Sequence, residues 1–110
     1  MENIIEINGV KYQKIEESSD IVLVRTEIAG VHFGTLKARK GREATLTNAR
    51  RLWEWRGACS LSQVAADGVD LAGSKISVTV PEILVLGVIE VIPMSKKAAT
   101  QMMGAEPWKK

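Results

Sequence analysis

Residues 31–69, VHFGTLKARKGREATLTNARRLWEWRGACSLSQVAADGV, carry the strongest strand and turn pattern of the chain. Val31 to Ala38 alternates. Val31, Phe33, Thr35 and Lys37 fall on one face of an extended chain, and His32, Gly34, Leu36 and Ala38 on the other. Arg39-Lys40-Gly41-Arg42 is a basic turn, and Glu43 to Trp55 resumes the extended pattern. Residues 31–55 therefore predict a hairpin with a basic tip. Asn48 to Arg56 supports two readings. As a helix, Asn48 would cap it, Gly57 would end it, and Arg51 and Trp55 would share a face. As a strand, Ala49, Arg51, Trp53 and Trp55 share one face, and Asn48, Arg50, Leu52 and Glu54 the other. Thr45, Thr47 and the two tryptophans favour the strand.

Ser60 followed three residues later by Gln63 is a capping box for a short helix to Ala66, with Gly68 as its stop. Residues 67–74 read as a loop. Ile76 to Val80 predicts a strand, and Pro81 marks an edge or bend. Ile83 to Ile92 predicts one buried strand, interruptible at Gly87 and ended by Pro93. Ser95 caps a helix to Met103, and a tail carries Trp108. Upstream, Ile21 to Glu27 is rich in β-branched residues and reads as a strand closed by Ala29-Gly30. Residues 16–20 form a polar break. Residues 2–12 surround Asn8-Gly9, the strongest short hairpin signal. The expectation is a strand-rich α+β fold: a curved or partly closed antiparallel sheet of about six strands with two short helices. It forms one domain over residues 1–110, with its core at about 20–95 and the C-terminal helix and tail at 95–110.

The chain has 110 residues, 45% of them hydrophobic and 25% charged, as in ordinary globular domains. One cysteine, Cys59, makes no internal disulfide, and with the single histidine it makes no zinc site. The opening MENIIEING lacks the basic and apolar regions of a signal peptide. The longest apolar run is too short to span a bilayer. A reduced, cytosolic protein without membrane attachment is expected.

Charge is concentrated. Residues 37–56 hold seven basic and two acidic residues, so +5 of formal charge sits in a chain whose total is +2. Arginine suits phosphate and carboxylate and stacks on aromatic rings; tryptophan offers a face to a base. Arg39, Arg50, Arg51, Trp53, Trp55 and Arg56 are the candidate ligand-binding residues. The ordinary alternative is core tryptophans and solvated arginines paired with Glu43 and Glu54. Catalytic signals are weak. His32 sits mid-strand, Ser60 and Ser62 lack a nucleophile elbow, and the glycines form no phosphate-cradling loop. No catalytic residue, metal or cofactor is expected.

Residues 29–36 (Ala-Gly-Val-His-Phe-Gly-Thr-Leu), 46–53 (Leu-Thr-Asn-Ala-Arg-Arg-Leu-Trp), Trp55, Gly57-Ala58, Ser60-Leu61-Ser62-Gln63 and the EILVLGVIEVIP run at 82–93 carry a resemblance. The chain is similar, over about residues 20–95, to a family of small proteins encoded by tailed bacteriophages and prophages. That resemblance implies a phage accessory protein acting in the host cytoplasm. By analogy with small phage proteins that sequester nucleotide second messengers of antiviral signalling, it suggests a homo-oligomer that binds a nucleotide-like anion. Alternatives are a DNA- or RNA-binding accessory factor using the basic hairpin, and a protein-interaction inhibitor of a host defence enzyme.

Overall fold

The computed structural model of the chain describes residues 4–7, 10–13 and 18–108. Strands β1 (Ile4–Ile7) and β2 (Val10–Gln13) pair antiparallel as a separate two-stranded sheet. The hairpin is as expected; the Asn8-Gly9 turn itself lies outside the described residues. The remaining strands form one antiparallel sheet: β3 (Ser18–Thr26), β4 (Val31–Lys40), β5 (Glu43–Glu54), β6 (Lys75–Ile76), β7 (Val80–Leu86) and β8 (Val88–Ser95). Their order is β6-β5-β4-β3-β8, with β7 also on β5. Two short helices, α1 (Leu61–Asp67) and α2 (Lys96–Met103), complete the fold. The result is a strand-rich α+β protein built on a curled antiparallel half-barrel. Among the described residues no helix is long and apolar enough to cross a membrane.

The curl has identifiable causes. Between the pairs Phe33↔Arg50 and Thr35↔Thr47, β5 carries one residue more than β4. The extra residue is taken up near Asn48, whose φ is +49°. Asparagine tolerates this left-handed backbone, and such a bulge bends and twists the strand. The second cause is Gly87. β7 pairs with β5 and β8 with β3, so one stretch of chain joins the two sides of the curl. The corner needs a φ of +71°, which glycine adopts without a Cβ penalty. It is pinned by Glu27 N–H donating to Gly87 O (3.0 Å) and Val88 N–H donating to Arg42 O (3.0 Å).

Alternation divides the apolar residues between two cores. Val22, Val24, Leu46, Ala49 and Val85 fill the concave face of the half-barrel. Leu23, Phe33, Leu52 and Ile76 face the other way and pack against Val64 of α1 and Ala98 and Met102 of α2. Both helices start as the sequence predicts: Ser60 Oγ accepts from Gln63 N–H, and Ser95 Oγ from Ala98 N–H. Gln63 Oε1 reaches Cys59 N–H rather than the cap residue itself, 2.9 Å away.

Some expected boundaries move. The polar break at 16–20 runs into β3, which begins at Ser18; Ser19 Oγ donates to Met94 O and ties this end to β8. The strand expected at 76–80 is only Lys75–Ile76, because Ser77 turns to bond Arg51 through both its N–H and its hydroxyl. The run 83–92 is two strands, and it is not wholly buried: Leu84, Leu86 and Ile89 are exposed. Pro93 does not end β8, which runs on to Ser95; proline opposite Val22 on this outer strand leaves no inner ladder bond unmade.

Candidate functional site

The strand reading of residues 48–54 holds, and its parity separates the two adjacent arginines. Arg50 lies opposite Phe33 on the helix side. It is 4% exposed. Its Nε donates to Ser77 O (2.9 Å), and its Nη1 to Met102 O (3.1 Å) and Met103 O (2.9 Å). Those are carbonyls at the end of α2, where a helix has more acceptors than N–H donors; Met102 O accepts besides only from the chain just beyond the helix, as from Ala105 N–H at 3.4 Å. Arg50 is thus a clasp between β5, the β6–β7 link and α2. Burial pushes its guanidinium below the usual value, against the opposing field of Glu106, yet an arginine stays charged.

Arg51 points to the concave face. Its backbone is fixed by Ser77, whose hydroxyl accepts from Arg51 N–H (2.7 Å) and whose N–H donates to Arg51 O (2.9 Å). The guanidinium lies over the Trp53 ring, its Cζ 3.9 Å from the centroid. On its other side is Gly30, where a Cβ would come within 2.8 Å of Arg51 Nη2. Only glycine allows that approach, and its φ of +84° disfavours other residues independently. Glu27, a carboxylate that lines a cavity together with Arg51, is held by Arg42 at 2.8 Å. No ion pair neutralises Arg51 among the described residues.

His32 is paired across the ladder with Arg51 and is buried. Its Nε2 is 2.8 Å from Ala29 O. A carbonyl only accepts, so Nε2 carries the proton and Nδ1 is left as an acceptor. Desolvation holds His32 below its usual pKa; the Arg51 charge adds to this and the Ala29 bond opposes it. The imidazole is therefore neutral near pH 7.

Two cavities meet at these side chains. One, of about 220 Å³, is lined by Trp53, Val78 and Val80; the other, of about 550 Å³, by Ile28, Leu84 and Leu86. Both include His32, Arg51 and Ile83. Six of the nine exposed large apolar side chains among the described residues line one or the other. The cleft is thus apolar in its walls and cationic at its waist, which is how small-ligand sites are usually built.

The other expected site residues are not in it. Arg39 is exposed near the hairpin tip, opposite Ala44. Trp55 follows the end of β5, leaves the alternation and packs against the helix-side core beside Ala58 and Leu61. Arg56 is exposed; its N–H donates to Ser74 Oγ and its stem lies against Gly73. Trp53, Trp55 and Arg56 share only a shallow hollow of about 360 Å³ with Glu54. His32, Gly30 and the β7 wall were not among the expected ligand residues. The alternation of 31–38 and 49–53 places His32 and Arg51 on faces, and two opposite one-residue shifts of the ladder, between Leu36 and Ala38 and near Asn48, leave them paired in the register of the hairpin tip. No group of three or more His, Cys, Asp or Glu among the described residues could hold a metal ion.

Residues 19–102 match the family described as Domain of unknown function (DUF6948), and the chain belongs to that family. Comparison with curated proteins and with solved structures finds no match.

Proposed function

We propose that this protein is a binding protein, not an enzyme, and that the cleft around Arg51 captures a small nucleotide-like anion. One observation carries the reading. A guanidinium with no carboxylate partner among the described residues is held flat between Gly30 and a half-exposed indole, at the waist of an apolar cleft. Arg51 would take the phosphate, and Trp53, 51% exposed, would stack on the base. As a phage accessory protein in the host cytoplasm it would sequester a nucleotide-derived immune signal. A homo-oligomer would cover the apolar side chains exposed around the cleft.

The nucleic-acid alternative has less support. Of the hairpin cations, Lys37 is paired with Glu82 and Arg42 with Glu27. Arg39 and Lys40 remain at the tip, too few for strong polymer binding.

Thermal shift against a panel of nucleotides tests the reading. Ligand at a hundred times Kd stabilises by about 2.7 kcal/mol, roughly 10 °C for a domain of this size. Arg51→Ala should lose that shift while lowering the unliganded melting temperature by no more than about 4 °C. A panel that leaves the wild-type protein unmoved refutes it.

A further inference from the structure

We infer that the cleft is built for an internal nucleoside phosphodiester: a single negative charge flanked by two organic arms. The inference rests on the nucleotide reading above and narrows its ligand class.

Two features of the geometry carry it. The first is where the charge sits. The cleft extends from Arg51 in two directions, toward Trp53, Val78 and Val80 on one side and toward Ile28, Leu84 and Leu86 on the other. The cation is at the shared waist, not at a closed end. A 5′-mono- or triphosphate carries its charge at one end of the molecule. Seated on Arg51, such a ligand would fill one lobe with its nucleoside and push free phosphate oxygens into the apolar other lobe, where they would lose water without gaining donors. A phosphodiester carries its charge in the middle, and each arm then has a lobe of its own.

The second is how much charge there is. Arg50 also lines the smaller lobe, but its guanidinium is taken up by Ser77 O, Met102 O and Met103 O, and Glu27 is matched by Arg42. His32 brings an acceptor atom, Nδ1, because Nε2 is committed to Ala29 O. A phosphate oxygen has no proton to give that atom, whereas a ribose hydroxyl has one. The waist thus offers one positive charge and one hydroxyl acceptor. That matches a monoanionic diester between sugars and leaves a triphosphate mostly uncompensated. The larger lobe, about 550 Å³ with Ile28 at its rim 94% exposed, has room for the second nucleoside.

Titration calorimetry with the full chain tests this, using the dinucleoside monophosphates ApA and UpU, their matching 5′-mononucleotides, ATP, and an eight-residue oligonucleotide. The expected result is a dinucleoside monophosphate binding at least tenfold tighter than its mononucleotide and than ATP. The oligonucleotide should gain no more than its number of overlapping sites allows, and Arg51→Ala should erase the preference. A mononucleotide or ATP binding within tenfold of the dinucleotide, or more tightly, overturns the diester inference and leaves the nucleotide reading standing. An oligonucleotide binding far beyond its statistical gain overturns it in favour of polymer binding. If none of the probes binds, the inference and the nucleotide reading fall together.

Discussion

Arg50 and Arg51 are neighbours in sequence, yet the structure gives them opposite energetic roles, and replacing each by methionine exposes the difference. Methionine keeps an unbranched apolar stem and removes only the charged fork. At position 50 the loss is three charge-assisted contacts, to Ser77 O, Met102 O and Met103 O. Hydrogen bonds to charged groups contribute about 1.5–3 kcal/mol each. Three contacts from one side chain are not additive, and the variant recovers the cost of burying the charge. A net loss of about 3 kcal/mol is expected, with the carbonyls at the end of α2 left short of donors. At about 4 °C per kcal/mol for a domain of this size, the melting temperature should fall by roughly 12 °C. At position 51 the loss is one stacking contact with Trp53 at a partly exposed site, about 0.5–1 kcal/mol. Urea denaturation of both variants, with m-values compared to the parent, reads the two numbers directly. If Arg50→Met costs less than about 1 kcal/mol, or if Arg51→Met is the more damaging change, the assignment of clasp and ligand group is wrong.

Other outcomes follow from the same geometry. Because His32 is held below its ordinary pKa, the unfolded chain binds more protons than the folded one as pH falls below about 6.5; stability is full above that pH and declines below it, by at most about 1.4 kcal/mol per pH unit for one proton. His32→Gln should flatten the curve between pH 5 and 7, and identical slopes in the two proteins would contradict the burial argument. Gly30→Ala should displace the Arg51 fork and weaken ligand binding in calorimetry more than Arg51→Lys does; an unchanged affinity would mean that the Gly30 contact does not position Arg51. Mobility shift with duplex and single-stranded DNA should give no complex at physiological salt, and a tight, steeply salt-dependent complex would restore the basic hairpin as a nucleic-acid surface. Light scattering at micromolar concentration should show a dimer or larger, and a clean monomer would remove the oligomer from the proposal.

Much of the fold was legible because it is written in local pattern. The alternation of 31–38, the basic turn and the threonines at 45 and 47 specify the β4–β5 hairpin without help from the rest of the chain. Ser60 and Ser95 announce both helices by chemistry that acts within three residues. What was not legible depends on partners distant in sequence. Residues 83–92 look like one buried strand because nothing in ILVLGVIEVI says that its two halves pair with different neighbours. Only closure of the half-barrel turns Gly87 into a corner and leaves Leu84 and Leu86 exposed beside the cleft. Pro93 reads as a terminator by itself and becomes harmless on an outer strand.

The site follows the same division. Parity alone already separates Arg50 from Arg51, since one shares its face with Leu52 and the other with Ala49 and Trp53. Grouping arginines by proximity in sequence overlooks this: on a strand, adjacent side chains are the ones that cannot meet. Trp55 obeys that parity only while the strand lasts, and β5 ends one residue before it. The pairing of His32 with Arg51 needs more than parity. The register at the hairpin tip, Lys40↔Glu43, would put Arg51 opposite His32 if carried down the ladder, but the ladder slips by one residue between Ala38 and Leu36 and slips back between Thr35 and Phe33. The extra residue near Asn48 makes that second shift. Were Asn48 held in a regular ladder below Thr35↔Thr47, Arg50 would fall opposite His32 and the two arginines would trade sides. Asn48 is therefore a determinant of the site although it lines neither cavity at Arg51. Asn48→Gly, which adopts the left-handed backbone freely, should leave binding and melting temperature close to those of the parent, whereas Asn48→Val, a β-branched residue that resists positive φ, should lower both. Equal damage from the two changes would show that the asparagine side chain, and not the backbone it permits, is what matters there.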